Sequence, residues 1–233
     1  MKHYFHTCFT ALTLAAAISG TASAATIFNG SFESGMNFWG AVDLSSPLQA
    51  LGVKPVGSVN YLNGYLGGPN VVIPTQGNYA FDNGFDGSGP GNILLFQDIG
   101  TPTVGQELTF DYRAGWDLLT YGAVLNRSFS VQIQPAGGGA PLAFFLQLTA
   151  IAGSTTPGPN SDTGPLSGQI DLSSFAGTPI RVEFIWNVPQ NFTGPANAQL
   201  DNVQLITVPE PSVISLGVMS LGALAFLRRR YIA

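Results

Sequence analysis

The residues that most enzymes use for nucleophilic and acid–base chemistry are nearly missing from this sequence. Its 233 residues contain one cysteine, Cys8, and two histidines, His3 and His6. All three lie near the N-terminus, so the rest of the chain has no group for Ser-His-Asp or Cys-His catalysis. Disulfides and zinc sites built on histidine or cysteine are excluded there for the same reason.

Charge is also scarce, and half of the positive charge lies close to the two termini. Charged residues make up 9% of the chain. Residues 25–207 contain four basic residues against twelve acidic ones, which gives this region a formal charge of −8. A basic surface for nucleic acid is therefore missing, and we expect no nucleic-acid partner.

The first 24 residues have the three parts of a secretory signal peptide. Lys2 lies in a short basic start, an apolar run covers residues 7–18, and Ala22-Ser23-Ala24 is an A-x-A cleavage site. We predict cleavage between Ala24 and Ala25. An uncleaved membrane anchor is the alternative, which the short apolar run disfavours.

The C-terminal segment, residues 208–233, combines three features in order. Val208, Pro209, Glu210 and Pro211 come first, then fifteen uncharged residues from 213 to 227, then Arg228, Arg229 and Arg230. The apolar run predicts a single transmembrane helix of marginal length, with the arginines on the cytoplasmic side. The domain would then lie outside the cell. A plain C-terminal anchor is the alternative.

Together these features resemble the PEP-CTERM sorting domain of bacterial surface proteins, over residues 208–230. The resemblance implies that an exosortase, a membrane transpeptidase, recognises the tail and cuts it near the Pro-Glu-Pro motif. It also implies that the C-terminal helix anchors the protein transiently in the membrane. Its destination would be the cell envelope or extracellular matrix, often beside exopolysaccharide gene clusters.

Between the two ends, apolar and polar residues alternate as they do in half-buried strands. In residues 107–113, Leu108, Phe110 and Tyr112 share one face, and further candidate strands are 93–99, 128–134, 142–148, 180–186 and 200–206. Turn-forming residues separate them, including Asn83-Gly84 and Gly137-Gly138-Gly139. The pattern predicts an all-β fold over residues 25–207, an antiparallel β-sandwich or jelly roll.

The two ends of this domain carry a second resemblance. It opens with Asn29-Gly30-Ser31-Phe32-Glu33 and closes with Leu200-Asp201-Asn202-Val203, motifs similar to those of galactose-binding-like jelly rolls, which include many carbohydrate-binding modules. In related folds a structural calcium commonly joins these first and last strands. The resemblance implies Glu33 and Asp201 as calcium ligands, with Asn29 as a weaker candidate. A strand end without metal is the alternative, and residues 82–87 are a second predicted loop with oxygen donors.

Sugar binding usually needs an exposed aromatic side chain with polar groups beside it. Trp116, Tyr61 and Tyr65 lie in glycine-rich or polar segments and are the candidate ligand-binding residues, with Trp116 preferred. A structural role is the alternative for each of them. Trp186 lies in register with an apolar strand face, which predicts a core position, and Trp39 is a second core candidate.

These patterns predict a non-enzymatic, exported cell-surface or matrix protein that contacts polysaccharide, without catalytic residues. Two other functions stay open. One is a glycan-active enzyme that uses two carboxylates, for which Asp82 with Asp86 and Asp111 with Asp117 are the nearest pairs in sequence. The other is a structural matrix protein without a ligand.

Overall fold

Ten strands form two antiparallel sheets in a computed structural model that describes residues 23–59, 71–87, 89–154 and 162–208. In chain order they are β1 (Gly40–Val42), β2 (Pro47–Pro55), β3 (Tyr79–Gly87), β4 (Gly91–Gly100), β5 (Gln106–Trp116), β6 (Arg127–Pro135), β7 (Ala143–Ala150), β8 (Leu166–Asp171), β9 (Ile180–Val188) and β10 (Ala196–Thr207). A single 3-10 turn, Ser173–Phe175, is the only helical element among the described residues.

The strand pairing is that of one long hairpin rolled around itself. One sheet has the order β1-β4-β9-β6-β7 and the other β2-β3-β10-β5-β8. The pairs β3 with β10, β4 with β9, β5 with β8 and β6 with β7 are therefore nested, and all are antiparallel. This nesting is the jelly-roll arrangement, so the predicted antiparallel sandwich is confirmed.

The core lies between the sheets and is rich in aromatic side chains. Trp186 is fully buried, as predicted, and its ring stacks on Phe129 at 4.8 Å and on Phe81 at 5.6 Å between centroids. Trp39 is also buried. Leu108, Phe110 and Tyr112 of β5, predicted to share one face, are all in this core, and so are the alternating apolar residues of the predicted strands that became β6 and β9, because alternate residues of a strand point to the same face.

One predicted turn and one predicted loop are wrong. Asn83-Gly84, and residues 82–87 around it, belong to strand β3 rather than to a loop. β3 is hydrogen-bonded to β2 on one side and to β10 on the other. Pairing on both edges holds a glycine-containing segment extended, so tertiary contacts override its local turn preference.

The opening motif is not a strand either, although it does meet the closing motif. Residues 28–38 form successive turns, and Val203 donates its backbone N–H to the Gly30 carbonyl at 2.9 Å. A Cβ on Gly30 would lie 1.9 Å from the Val203 oxygen, so only glycine fits this contact. The pairing of β10 with β5 shifts register between Asp201 and Gln204. Val203 lies within this shift, so its backbone N–H is available for the bond to Gly30.

Both ends of the described chain lie at the connection between β4 and β5. Ala25 donates to the Thr101 carbonyl at 3.0 Å, and Val208 donates to Gly105 at 2.8 Å. None of the described residues forms a helix long and apolar enough to cross a membrane. The predicted membrane helix, Pro209 to Pro211 and the three arginines lie outside the described residues, as does the leader up to residue 22.

Candidate functional site: two outer faces of the sandwich

The outward face of the β2-β3-β10-β5-β8 sheet, called here the closed face, is polar, and its central part is hidden from solvent. Segment 71–76 lies across it and hydrogen-bonds to its side chains. Gln199 accepts the Ile73 N–H through Oε1 at 2.9 Å, and Arg113 donates from Nη1 to the Val71 carbonyl at 3.1 Å. The protein itself therefore satisfies the polar groups of this face.

Two ion pairs lie on the closed face. Lys54 Nζ lies 2.6 Å from Asp82 Oδ2, and Asp82 is fully buried. Arg113 Nε donates to both carboxylate oxygens of Asp162, at 2.7 and 2.8 Å. A buried charge without a partner costs several kcal/mol, so these pairs are needed for the fold.

Glu33 and Asp201 hold the same turn, which begins at Thr75 and leads into β3. Asp201 Oδ2 accepts the N–H groups of Thr75 at 2.7 Å and Gln76 at 2.8 Å. Glu33 Oε1 accepts those of Asn78 and Tyr79, at 2.7 and 2.9 Å. Burial raises the pKa of Asp201, and these N–H donors partly offset that effect. The predicted pair therefore forms a clamp on this turn.

The carboxylate oxygens of this clamp are engaged by backbone N–H groups. Each bonded oxygen of Glu33 and Asp201 accepts backbone N–H groups, and Asn29 uses its amide inside its own loop, donating to Gly35 and Asn37. Within the described ranges, no group of three or more His, Cys, Asp or Glu side chains is placed to hold a metal. Calcium binding by Glu33 and Asp201 stays a prediction.

The prediction that Trp116 is the aromatic platform for a sugar is wrong, because its side chain points into the sandwich. It is 6% exposed, and its Nε1 donates to Ser154 Oγ at 3.2 Å. On β5 it shares the inward face with Ala114, so its ring has no free surface for a ligand. The other two candidates, Tyr61 and Tyr65, lie outside the described residues.

The acid pairs considered for catalysis do not form a paired-carboxylate site in the described residues. Asp111 and Asp117 are six positions apart along β5 and its end, or about 20 Å, whereas glycosidases need about 5–10 Å. Asp117 also accepts the N–H groups of Leu119 and Thr120. Asp82 is the partner of Lys54, and the side chain of Asp86 lies outside the described set.

The outward face of the β1-β4-β9-β6-β7 sheet, called here the open face, presents a different surface. Phe96, Glu183, Gln132 and Phe144 stand directly opposite one another on four adjacent strands. Three strand spacings, or about 14 Å, separate Phe96 from Phe144. Phe144 is 58% exposed. The four form a cross-strand row with an aromatic ring at each end and hydrogen-bonding groups between them.

Glu183 is the only carboxylate in the cross-strand row. It is 6% exposed and accepts a hydrogen bond from Gln134 Nε2 at 3.0 Å. Burial raises its pKa, and the nearby positive charge of Arg181 opposes that rise. Glu183 is therefore a largely buried carboxylate in a row whose other members are two rings and an amide.

A groove of about 350 Å³ lies where the cross-strand row reaches the edge of the sheet. This edge groove is lined by Phe28, Phe38, Gly40, Phe96, Gln97, Asp98 and Arg181. Phe28 and Phe38 stack with centroids 5.3 Å apart, and they are 50% and 67% exposed. A side chain on Gly40 would strike the Phe96 ring at 2.4 Å, so glycine here leaves room for that ring in the groove.

Gln97 holds the two exposed rings in place from beneath. Its Oε1 accepts the Phe28 N–H at 2.8 Å, and its Nε2 donates to the carbonyls of Phe28 at 2.9 Å and Phe38 at 3.2 Å. Phe38 has φ +73°, an unfavourable backbone conformation for an aromatic residue. Phe38 is therefore a strained, exposed aromatic residue that a buried amide holds in place.

An ion pair forms the polar side of the edge groove. Arg181 donates to Asp98 from Nε at 2.8 Å and from a second nitrogen at 3.1 Å. Its guanidinium carbon lies 4.4 Å from the centre of the Phe96 ring. The hydrogen bond from Arg181 lowers the pKa of Asp98, so both groups are charged at neutral pH.

No family model matches this chain. A search of curated proteins also gives no match. Among solved structures, TmCBM61 in complex with beta-1,4-galactotriose is similar over 80% of this chain and 100% of its own, at 16% identity and TM-score 0.48. A family 16 carbohydrate-binding module covers 77% and 98%, at 15% identity and TM-score 0.38. The K1 adhesin domain of Lys-gingipain from Porphyromonas gingivalis W83 covers 77% and 96%, at 15% identity and TM-score 0.42.

The sequence predictions missed the residues of the open face. Arg181 and Glu183 lie on the polar side of residues 180–186, and Phe96 and Asp98 on the outward side of residues 93–99. Both alternations were visible in the sequence, so these outward positions carried a signal. Nothing local marks Phe38, because its exposure depends on how the turns after Phe28 fold.

Proposed function

We propose that this chain is an exported, non-enzymatic surface protein whose jelly roll binds carbohydrate in the edge groove and along the open face. The edge groove carries the proposal, because it places two exposed, stacked rings beside a charged pair. A sugar ring has an apolar C–H face that packs on an aromatic ring. Its hydroxyls can donate to a carboxylate and accept from a guanidinium.

The edge groove is already formed in the free protein. Gln97 fixes the backbone on both sides of the exposed rings, and Arg181 is held by Asp98 and by the Phe96 ring. A preorganised site loses little conformational entropy when a ligand binds. This rigidity compensates for the weak interactions that individual hydroxyl groups make.

The cross-strand row extends the site from one ring to a chain of several sugars. Glu183 and Gln132 supply an acceptor and an amide between the rings of Phe96 and Phe144. Arg181 is neutralised by Asp98, and the domain as a whole has a formal charge of −8. These charges favour a neutral polysaccharide over an anionic one.

In this proposal the two termini carry the signals for export and sorting. The leader directs export, and the tail resembles an exosortase substrate, so processing near Pro209 to Pro211 would place the domain in the envelope or matrix. Structural calcium at Glu33 and Asp201 stays part of the proposal.

The mature surface protein should begin at Ala25 and contain no peptide from Val213 onward, which mass spectrometry measures. A start at Met1, or an intact tail, would contradict export or processing respectively.

A glycan array with the purified mature protein, followed by calorimetry on any hit, tests carbohydrate binding. We expect binding to neutral oligosaccharides, and Phe38→Ala should weaken it by about tenfold, since a stacked ring contributes up to about 1.5 kcal/mol and about 1.4 kcal/mol is a factor of ten in affinity. Phe192→Ala is the matched control, because Phe192 is another exposed phenylalanine with positive φ but lies outside the groove.

The same experiment separates the alternative functions. No binding to any glycan would contradict the proposal and favour a structural matrix protein. Equal losses in Phe38→Ala and Phe192→Ala would show that the groove is not the site. Release of reducing ends from a bound glycan would identify an enzyme instead.

A further inference from the structure

Three of the four edge strands carry features that block pairing with another chain. β1 has only three residues. β2 begins at Pro47, ends at Pro55, contains Lys54 and shifts register against β3 twice. β8 has six residues and ends at Asp171. Short length, proline, charged residues and bulges are the means by which natural sheets avoid edge-to-edge association.

The fourth edge strand, β7, lacks most of these features. Its eight residues, Ala143–Ala150, include no proline and no charge. Its one irregularity lies at Gln147, where the pairing with β6 shifts register, and Ala143–Leu146 is paired with β6 without interruption. In the described part of the chain no strand pairs with the outer side of β7. Its backbone groups there form a template for another strand.

The surface around β7 also lacks the charge that would repel a second copy. No charged residue occurs between Arg127 and Asp162. Like charges oppose self-association. The rest of this acidic domain would therefore repel a second copy, whereas this uncharged strip would not. Phe144 and Leu146 point outward from β7 onto the open face, and each is 58% exposed. Pairing along β7 would bring the flanks of both side chains into contact with the added strand, which removes apolar surface from water.

We infer that β7 is a docking edge for β7 of a second copy of this chain, paired antiparallel. An antiparallel pair of identical strands is self-complementary, as a two-fold symmetric contact requires. Centred within Phe144–Leu146, it brings the outward side chains of the two copies side by side. The two five-stranded sheets then become one ten-stranded sheet, with both open faces on the same side. The contact does not depend on carbohydrate binding.

Thiol crosslinking on intact cells tests the contact with the full chain. Cys8 is the only native cysteine, so a Cys8→Ser background carries single cysteines at Phe144, at Leu146 or, as a control, at the exposed Val124. A short thiol-to-thiol reagent should give a dimer of the chain for the two β7 positions and at least about fivefold less for Val124→Cys. Equal yields at all three positions would overturn the contact, because they indicate random or tail-driven association.

Charge added to the edge gives a second measurement. Leu146→Lys, placed in the Phe144→Cys background, should reduce the crosslinked fraction at least about fivefold, because each copy then sets a charge against the apolar strip of the other and the two lysines lie close together near the two-fold axis. Val124→Lys in the same background should leave the yield unchanged. Persistent crosslinking with Leu146→Lys, or capture of a different protein in place of a second copy, would overturn the inference.

Discussion

The closed face and the open face belong to similar five-stranded sheets, yet their polar side chains serve different purposes. On the closed face, Asp82, Gln199 and Asp201 are each at most 3% exposed and bond to other parts of the chain. On the open face, Glu183 is bordered by amides and by rings that reach solvent. A face that satisfies its own polar groups contributes to stability, whereas an uncovered one is available for binding.

Removal of Asp201 should have the largest effect, because it acts on the closed face. Asp201→Ala leaves the N–H groups of Thr75 and Gln76 without their acceptor, and a hydrogen bond to a charged group contributes about 1.5–3 kcal/mol. We expect the free energy of unfolding to fall by about 3 kcal/mol in urea denaturation. Glu107→Ala, on a half-buried carboxylate of the same sheet that lies away from segment 71–76 and accepts a hydrogen bond from Gln169, is the control and should cost about 0.5 kcal/mol. Equal effects would show that covering by segment 71–76 adds nothing to the stability of the closed face.

The next effect concerns the buried ion pair of the closed face. Lys54→Ala removes the ammonium group 2.6 Å from the fully buried Asp82. Lys54 is 20% exposed, so we expect a loss of about 2 kcal/mol in urea denaturation, below the roughly 3–5 kcal/mol of a fully buried pair. Leu146→Ala, an equally drastic truncation on the open face, should change stability by no more than about 0.5 kcal/mol. A larger loss for Leu146→Ala than for Lys54→Ala would reverse the assignment of the two faces.

A smaller effect, with a definite pH dependence, is expected at Glu183. Burial raises the pKa of this carboxyl in the folded state, so folding favours its protonated form. Stability should therefore rise as pH falls from above the folded pKa towards the ordinary value near 4.5. Glu183→Gln should remove this contribution and raise the free energy of unfolding at pH 7 by up to about 1 kcal/mol.

Thermal melts from pH 4 to pH 8 measure this contribution as the difference between Glu183→Gln and the parent protein. Asp201 also has a raised pKa and is present in both proteins, so its contribution cancels in that comparison. A difference that does not vary with pH would show that Glu183 is solvated like an ordinary surface carboxylate.

The smallest expected effect is that of metal removal on the closed face. If Glu33 and Asp201 hold calcium, ligand binding to the folded state alone adds RT ln(1 + [L]/Kd) to stability. Their oxygens already accept backbone N–H groups, so we expect EDTA to lower the melting temperature by a few degrees at most. That loss should disappear in Asp201→Ala. If neither EDTA nor millimolar calcium shifts the melting curve, Glu33 and Asp201 hold the turn by hydrogen bonds alone, without calcium.

Strand alternation was a good predictor where one side of a strand faces the core. Residues 107–113, 128–134 and 180–186 each put their apolar set inward as expected, because burial requires alternate positions to be apolar. β1, β2, β3 and β8 were not predicted. β2 and β3 contain proline or several glycines, and their extended form depends on pairing with neighbours rather than on local preference.

The sequence by itself determined the class of fold, the inward faces of three strands and the meeting of the opening and closing motifs. Only the tertiary structure decided which aromatic rings reach solvent. Trp116 is buried because its strand register points it into the core, whereas Phe38 is exposed because Gln97 holds its turn in place. Exposure depends on what packs above a residue, and that neighbour comes from a distant part of the chain, so local pattern cannot predict it.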